Sequence, residues 1–228
     1  RDEVAKRTYE LSIANEKLVE MSNTDPLTGL NNRRYLHNQI HKDIANFNRL
    51  KLTQDNQQMT MALLLIDVDH FKAINDNFGH AVGDDILKAL SNLLLDESRE
   101  GDYIVRWGGE EFLIVSRCHN RKAAQQIVER LSKSIAKANI RPKKTKGNDI
   151  TCSIGFTLLP FKNDSNNVDV SWQDAVDLAD KALYKVKENG RNGWASYQAD
   201  KLASDASDSS ELIMFKGQPC QLICSWSS

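Results

Sequence analysis

Apolar and polar residues recur in two periods along the chain, and the points where one gives way to the other divide it into short strands and amphipathic helices. Met61 to Val68, Met-Ala-Leu-Leu-Leu-Ile-Asp-Val, is apolar on both alternations until Asp67 interrupts it. This predicts a strand covered on both faces, in the middle of a sheet. Ile150 to Leu158 alternates instead, with Ile150, Cys152, Ile154, Phe156 and Leu158 set against Thr151, Ser153, Gly155 and Thr157; the expectation is a strand with one buried face. Tyr103 to Ser116 carries two short β-type runs about a Gly-Gly pair. That is the composition of a tight hairpin, because glycine reaches positive φ without a Cβ clash. Trp194 to Tyr197 reads as one more edge strand.

Helical spacing predicts a helix from about Arg33 to Leu50 and another opening at Gly79 to Asp85 with Ile86, Leu90, Leu93 and Leu94 inward. A third carries Ala124, Ile127, Val128, Leu131 and Ile135, and a fourth carries Trp172, Ala175, Val176, Ala179, Leu183 and Val186. Polar loops are expected at Thr53 to Gln58, Arg141 to Asn148 and Lys162 to Asn167. At the start, Val4, Leu11 and Leu18, with Ala14 and Met21, form an apolar seam of heptad spacing among charged residues, a short coiled coil or a helix packed on its own domain. Ser22-Asn23-Thr24-Asp25-Pro26 ends it. From Gln198 the chain turns Ser/Asp-rich and closes in an apolar segment, Leu212 to Trp226, with no assigned place. Strands and helices interleave about one hairpin, so the fold class is α/β (α+β) of the ferredoxin-like, split-βαβ kind, preceded by a coiled-coil helix.

Length and charge narrow the functions. The 228 residues bury a real core as one good-sized domain with appendages or as two small ones. Thirty Lys+Arg against 31 Asp+Glu leave a formal net charge of -1, so no global basic field gathers nucleic acid and an anionic ligand must be held locally. Four cysteines are too few for a disulfide scaffold and fit a reducing, cytoplasmic setting. Cys220 and Cys224 lack a histidine or third cysteine nearby to complete a zinc site, and His37 and His41, one helical turn apart, lack an acid, so they read as a solvated face. No run of 18 apolar residues and no signal peptide occurs. The chain opens on Arg1, and the expectation is a piece of something longer, with a sensor, membrane-bound or not, upstream.

The candidate chemistry is acidic. Asp67 and Asp69 stand at the C-terminal end of the central strand, where α/β sheets place ligand sites. Glu110 and Glu111 follow the Gly-Gly pair between apolar strands, a costly place for adjacent carboxylates unless they stay in water or meet a cation. Asp69 alone is explained as a cap of the next helix; Asp67 is not. Asp84 near a helix start and Lys185 and Lys187 in a last turn are ordinary partners of a helix dipole, and Arg99 with Asp102 reads as a surface ion pair.

Taken together, Asp25-Pro-Leu-Thr-Gly-Leu-Asn-Asn-Arg-Arg34, Asp67-Val-Asp-His-Phe-Lys-Ala-Ile-Asn-Asp76, Gly79-His-Ala-Val-Gly-Asp84, Arg106-Trp-Gly-Gly-Glu-Glu-Phe112, Ser153-Ile-Gly155 and Ala179-Asp-Lys-Ala-Leu-Tyr-Lys185 through Asn192 resemble the GGDEF family of diguanylate cyclases, in its Gly-Gly-Glu-Glu-Phe form. The resemblance implies a nucleotide-cyclase, polymerase-palm-like sheet flanked by helices. It divides the chain into a signalling helix at 1–22, a catalytic domain at 23–197 and a tail at 198–228. It implies condensation of two GTP into cyclic di-GMP across a homodimer, with two Mg²⁺ or Mn²⁺ ions per site. By the same resemblance Asp67, the Val68 carbonyl and Glu110 hold metal, Glu110 is the base and Glu111 supports it. Asn75 and Asp84 read guanine with His80 nearby, and His70, Phe71, Lys72, Lys187 and Arg191 meet the phosphates. Arg99 and Asp102 match a product-inhibition site. Two other readings stand beside it: a catalytically silent module that binds GTP or cyclic di-GMP, and a coiled-coil adaptor with no nucleotide affinity.

Overall fold

The computed structural model describes residues 3, 6–7, 9, 23–51, 59–141, 150–160, 162–163, 166–167, 170–198, 212–215 and 218–226. The strand read as central is central. β2 (Thr60–Val68) is buried at all nine positions and lies between β4 (Glu111–Cys118) and β5 (Cys152–Leu159), antiparallel to both. β3 (Tyr103–Arg106) pairs antiparallel with β4, closing the expected hairpin. The spatial order β3-β4-β2-β5 is the split-βαβ, ferredoxin-like arrangement. The sheet then widens: β1 (Asn31–Asn32) runs parallel beside β3, and β8 (Trp194–Gln198) runs parallel to β5. β6 (Lys162–Asn163) and β7 (Asn166–Asn167) form a separate ribbon at the two ends of the expected polar loop.

The alternation along β2 sets the layers, because successive side chains leave a strand on opposite faces. Ala62, Leu64, Ile66 and Val68 pack with residues of α2 (Phe71–Phe78), α3 (His80–Glu97) and α4 (Arg121–Lys137), among them Ile74, Leu90 and Val128. Met61, Leu63 and Leu65 pack with Leu36 and Ile40 of α1 (Arg33–Lys51) and Ala179 and Leu183 of α5 (Trp172–Glu188). Local chemistry starts the helices where they start. The Asn120 side chain accepts from Ala123 N at α4, and Ser171 and Asp174 form a reciprocal capping box at α5.

Three expectations are corrected. β5 is buried on both faces: its small and hydroxylated face, which alternation assigned to solvent, lies under α5. A Cβ on Gly155 would overlap the Ala179 carbonyl oxygen, so small residues there serve close helix approach, not exposure. β8 is no edge strand, because the segment left without a place supplies β10 (Gln218–Cys224), antiparallel to β8, and β9 (Leu212–Phe215) beyond it. These strands build a third core with Leu178, Ala182 and Val186 of α5, to which Phe215 and Cys220 contribute. The Gly-Gly pair does not use positive φ; among the described residues the glycines that do are Gly29, Gly79, Gly101 and Gly190.

At the start, Glu3, Lys6, Arg7 and Tyr9 are helical and exposed, and Arg7 pairs with Glu3 at 2.9 Å. The seam positions Val4, Leu11, Ala14, Leu18 and Met21 lie outside the described residues, as do the loops at 53–58 and 142–148. Among the described residues no helix is long and apolar enough to cross a membrane.

Candidate active site

The acids converge where β2 meets the turn from Trp107 to Glu110. Register pairs Asp67 with Glu111 across β2 and β4, and antiparallel partners project to the same face, here the face covered by α5. The Val68 amide donates to the Glu110 carbonyl at 3.3 Å, and the Trp107 amide donates to the Glu111 carbonyl at 2.8 Å, so backbone bonds fix the bend. A Cβ on Gly108 would lie 2.9 Å from Glu111 Oε2 and displace that carboxylate, whereas a Cβ on Gly109 would meet nothing within 4 Å. One glycine makes room for a carboxylate, and the other leaves open space beside Glu110.

Arg106 sets the tip of this turn. Its guanidinium donates to both carboxylate oxygens of Asp25, at 2.9 and 3.1 Å, and to the Gly109 carbonyl at 2.7 Å. Asp25 also accepts from the amide and hydroxyl of Thr28. Burial pushes the Asp25 carboxyl up, but the bonds from Thr28 and Arg106 outweigh it and hold the group below its usual range. The first residues of the domain therefore reach the Gly-Gly bend through one half-buried ion pair. Asp25 and Arg106 stand 81 residues apart, and nothing in the sequence marks them as partners.

The electrostatics run uphill for anions. Burial lifts the Asp67 carboxyl above its ordinary value, and the Lys187 ammonium, 2.8 Å away, only partly offsets this. Burial and then the Asp67 charge lift Glu110. Burial, Asp67 and Asp180 lift Glu111. Burial and mutual repulsion raise all three carboxyls, and a divalent cation is the partner that would relieve such charge. Among the described residues no three His, Cys, Asp or Glu side chains gather into a metal cluster; the expected set is smaller, two carboxylates with the Val68 carbonyl, and leaves remaining positions to a ligand's oxygens.

Asp69 does not cap a helix; α2 has no side-chain cap. Its buried carboxylate accepts from the Thr151 hydroxyl (2.7 Å), the Ser153 hydroxyl (2.7 Å) and the Asn192 amide (3.1 Å). It thus ties the end of β2 to β5 and to the loop after α5, which carries Arg191. His70 stands at φ 58 between strand and helix, and His70 and Lys72 are exposed at the uncapped start of α2, where Phe71 is buried.

Asn75, on α2, packs against α3. Its Oδ1 is buried with no hydrogen-bond partner, and a Cβ on Gly83 would overlap it; Gly83 exists to admit that amide. Asp84, half-buried, and His80, exposed, lie on the same first turns of α3. Arg99 and Asp102 do not form a side-chain ion pair. The Asp102 carboxylate accepts from the Arg99 amide at 3.0 Å and closes a turn, leaving the Arg99 side chain exposed. His37 and His41 are exposed yet edge-on to Trp172, whose Nε1 donates to His41 Nε2 at 3.5 Å.

Comparison with known proteins agrees with this geometry. Residues 22–193 match the family model described as diguanylate cyclase, GGDEF domain. Diguanylate cyclase A of Treponema denticola is 35% identical over 182 residues, which are 80% of this chain and 46% of that protein. Diguanylate cyclase DgcP of Pseudomonas aeruginosa is 38% identical over 171 residues, 74% of this chain and 23% of that protein. The chain thus spans less than half the length of either. Among solved structures, the active GGEEF domain of a diguanylate cyclase from Vibrio cholerae superposes with a TM-score of 0.59 at 30% identity, over 73% of this chain and 97% of that one.

Proposed function

Because this chain belongs to the GGDEF domain family of diguanylate cyclases, we propose that it joins two GTP molecules head to tail into cyclic di-GMP, releasing two pyrophosphates, across a homodimer of facing domains. The observation that carries this reading is the convergence of Asp67, Glu110 and Glu111, each lifted by burial and by neighbouring charge, beside Lys187.

Asp67, the Val68 carbonyl and Glu110 would hold two Mg²⁺ or Mn²⁺, hard cations suited to oxygen donors. Such ions supply charge neutralisation of the triphosphate and a lower pKa for a bound hydroxyl. Glu110, beside the open space at Gly109, takes the proton of the 3'-hydroxyl that attacks the α-phosphate. Glu111, seated against Gly108, adds to the negative field. Lys187 exchanges Asp67 for the β- and γ-phosphates when GTP enters, joined by Arg191, Lys72 and the uncapped backbone amides around His70 and Phe71, where a helix N-terminus favours anions. The Asn75 Oδ1 without a partner and the Asp84 carboxylate accept from the guanine N2 and N1 hydrogens, with His80 beside them; adenine offers an acceptor where guanine offers N1–H, which favours GTP over ATP. The exposed Arg99 guanidinium, on the turn closed by Asp102, binds cyclic di-GMP as an inhibitor through the fork geometry arginine presents to phosphate and guanine. A sensor upstream, in the cytoplasm or anchored to a membrane, would set the dimer through the N-terminal helix.

Incubation of the chain with GTP and Mg²⁺ yields cyclic di-GMP on this account, and Glu110→Ala lowers the rate at least about 100-fold while the fold is kept. Normal turnover by that variant refutes the base assignment. Tight binding of GTP without product, in a confirmed dimer, favours the silent module.

A further inference from the structure

The strongest feature the catalytic reading leaves unused is the C-terminal hairpin, β9 and β10, which lies beyond the family-matched residues 22–193. It ends against the loop from Asn189 to Gly193. In that loop Arg191 and Asn192 are consecutive non-glycine residues in the left-handed region, at φ 65 and 49, a strained arrangement that persists only where its surroundings over-determine it. Four contacts do so. The Arg191 amide donates to the Val186 carbonyl at 2.9 Å, the Asn192 amide to Asp69 at 3.1 Å, and Ile154 N to the Gly193 carbonyl at 2.9 Å. The fourth comes from the added hairpin: the Trp194 amide donates to Ser225 Oγ at 2.9 Å, while Ser225 N donates back to the Trp194 carbonyl at 2.9 Å. Gly193 is bare on that side, since a Cβ there would lie 2.6 Å from Ser225 Oγ.

We infer that the C-terminal hairpin is a buttress for the phosphate-binding loop and that Ser225 is a positioning residue, acting through Gly193 and Trp194 on the placement of Arg191. The inference rests on the GTP-binding reading above and deepens it. Three hydrogen bonds hold the loop from within the family-matched part, and the hydroxyl of Ser225 fixes its last peptide from outside. Without that hydroxyl the Trp194 amide, on a buried residue, loses its partner and the strained pair has one constraint fewer. The loss falls on the end of the nucleotide that Arg191 meets, not on the guanine end, which α2 and α3 line.

The test is calorimetric titration of the full chain, with Mg²⁺, using α,β-methylene-GTP and, separately, GMP. Ser225→Ala is expected to weaken the triphosphate analogue about 3- to 10-fold, the effect of one hydrogen bond, and to leave GMP affinity unchanged, so that GMP also reports a folded guanine site. Ser225→Thr retains the hydroxyl and is expected to restore wild-type affinity. Gly193→Ala, which crowds Ser225 Oγ, is expected to reproduce the Ser225→Ala effect. Unchanged analogue affinity in Ser225→Ala, or equal weakening of analogue and GMP, overturns the inference. A wild-type chain that binds the analogue but makes no cyclic di-GMP sinks the cyclase reading alone, and the affinity ratio still judges the buttress. A wild-type chain that binds neither ligand overturns both.

Discussion

Single residues carry opposite signs for stability and for chemistry at this site. Asp67, Glu110 and Glu111 are raised above their ordinary values in the folded chain, so the folded state binds more protons than the unfolded one between the ordinary and the raised values. Stability therefore declines as pH rises through that window. On the proposed mechanism turnover needs the ionised forms and is expected to rise through it. Thermal melts of the nucleotide-free chain from about pH 4 to 7 are expected to show this fall in Tm, and Glu110→Gln to flatten it and to raise Tm at neutral pH while abolishing activity. Asp69 is the contrary case. Its carboxylate satisfies two hydroxyls and an amide, so Asp69→Ala is expected to cost about 3 kcal/mol in urea denaturation, because buried donors left without partners keep their desolvation penalty. A loss below about 0.5 kcal/mol contradicts the clasp. The sequence pointed to the position of Asp69 but not its work, because a helix cap and a three-way clasp require the same residue after a strand. Asp67 stood out because it interrupts an apolar run, and the structure buries it with Lys187 as its partner at 2.8 Å.

Elements were legible where one period dominated and misread where two functions share a residue type. β2 and the helices with clear apolar stripes lie as their patterns predict. β5 does not, because Ser153, Gly155 and Thr157 look like a solvent face but line the seat of α5; small size and polarity cannot be told apart in a string. Gly155→Val tests this. With α5 unable to approach, the variant is expected to lose about 3 kcal/mol or more and to melt well below the wild type, whereas a solvent-facing Gly155 would give a neutral or stabilising substitution. Likewise the turn at Gly108 and Gly109 was read as a φ requirement, but the structure uses the bareness of Gly108 against Glu111. The Asp25–Arg106 pair couples the domain's first turn to the Gly109 carbonyl. Asp25→Asn, which keeps the shape and removes the charge, is expected to lower kcat about 10-fold or more by loosening the catalytic bend; unchanged kcat denies that coupling.

For the molecule as a whole, the interleaved strand and helix patterns foretold a split-βαβ fold, and the structure adds a sheet extended by β8, β10 and β9. The last two escaped sequence reading because Leu212 to Trp226 is short, follows a Ser/Asp-rich stretch and matches no motif; its role is set by α5, whose outer face it covers. If Arg99 binds product, Arg99→Ala is expected to leave initial turnover unchanged and to remove the slowing as cyclic di-GMP accumulates, and persistent slowing contradicts it. The central claim is that the acids at the end of β2 and the neighbouring bend share divalent cations carried with GTP. It is tested most directly by Mn²⁺ binding, followed by electron paramagnetic resonance, in the presence of α,β-methylene-GTP. The account predicts protein-bound Mn²⁺ in the wild type and its loss in Asp67→Ala and Glu110→Ala, and equal Mn²⁺ uptake by all three proteins would contradict it.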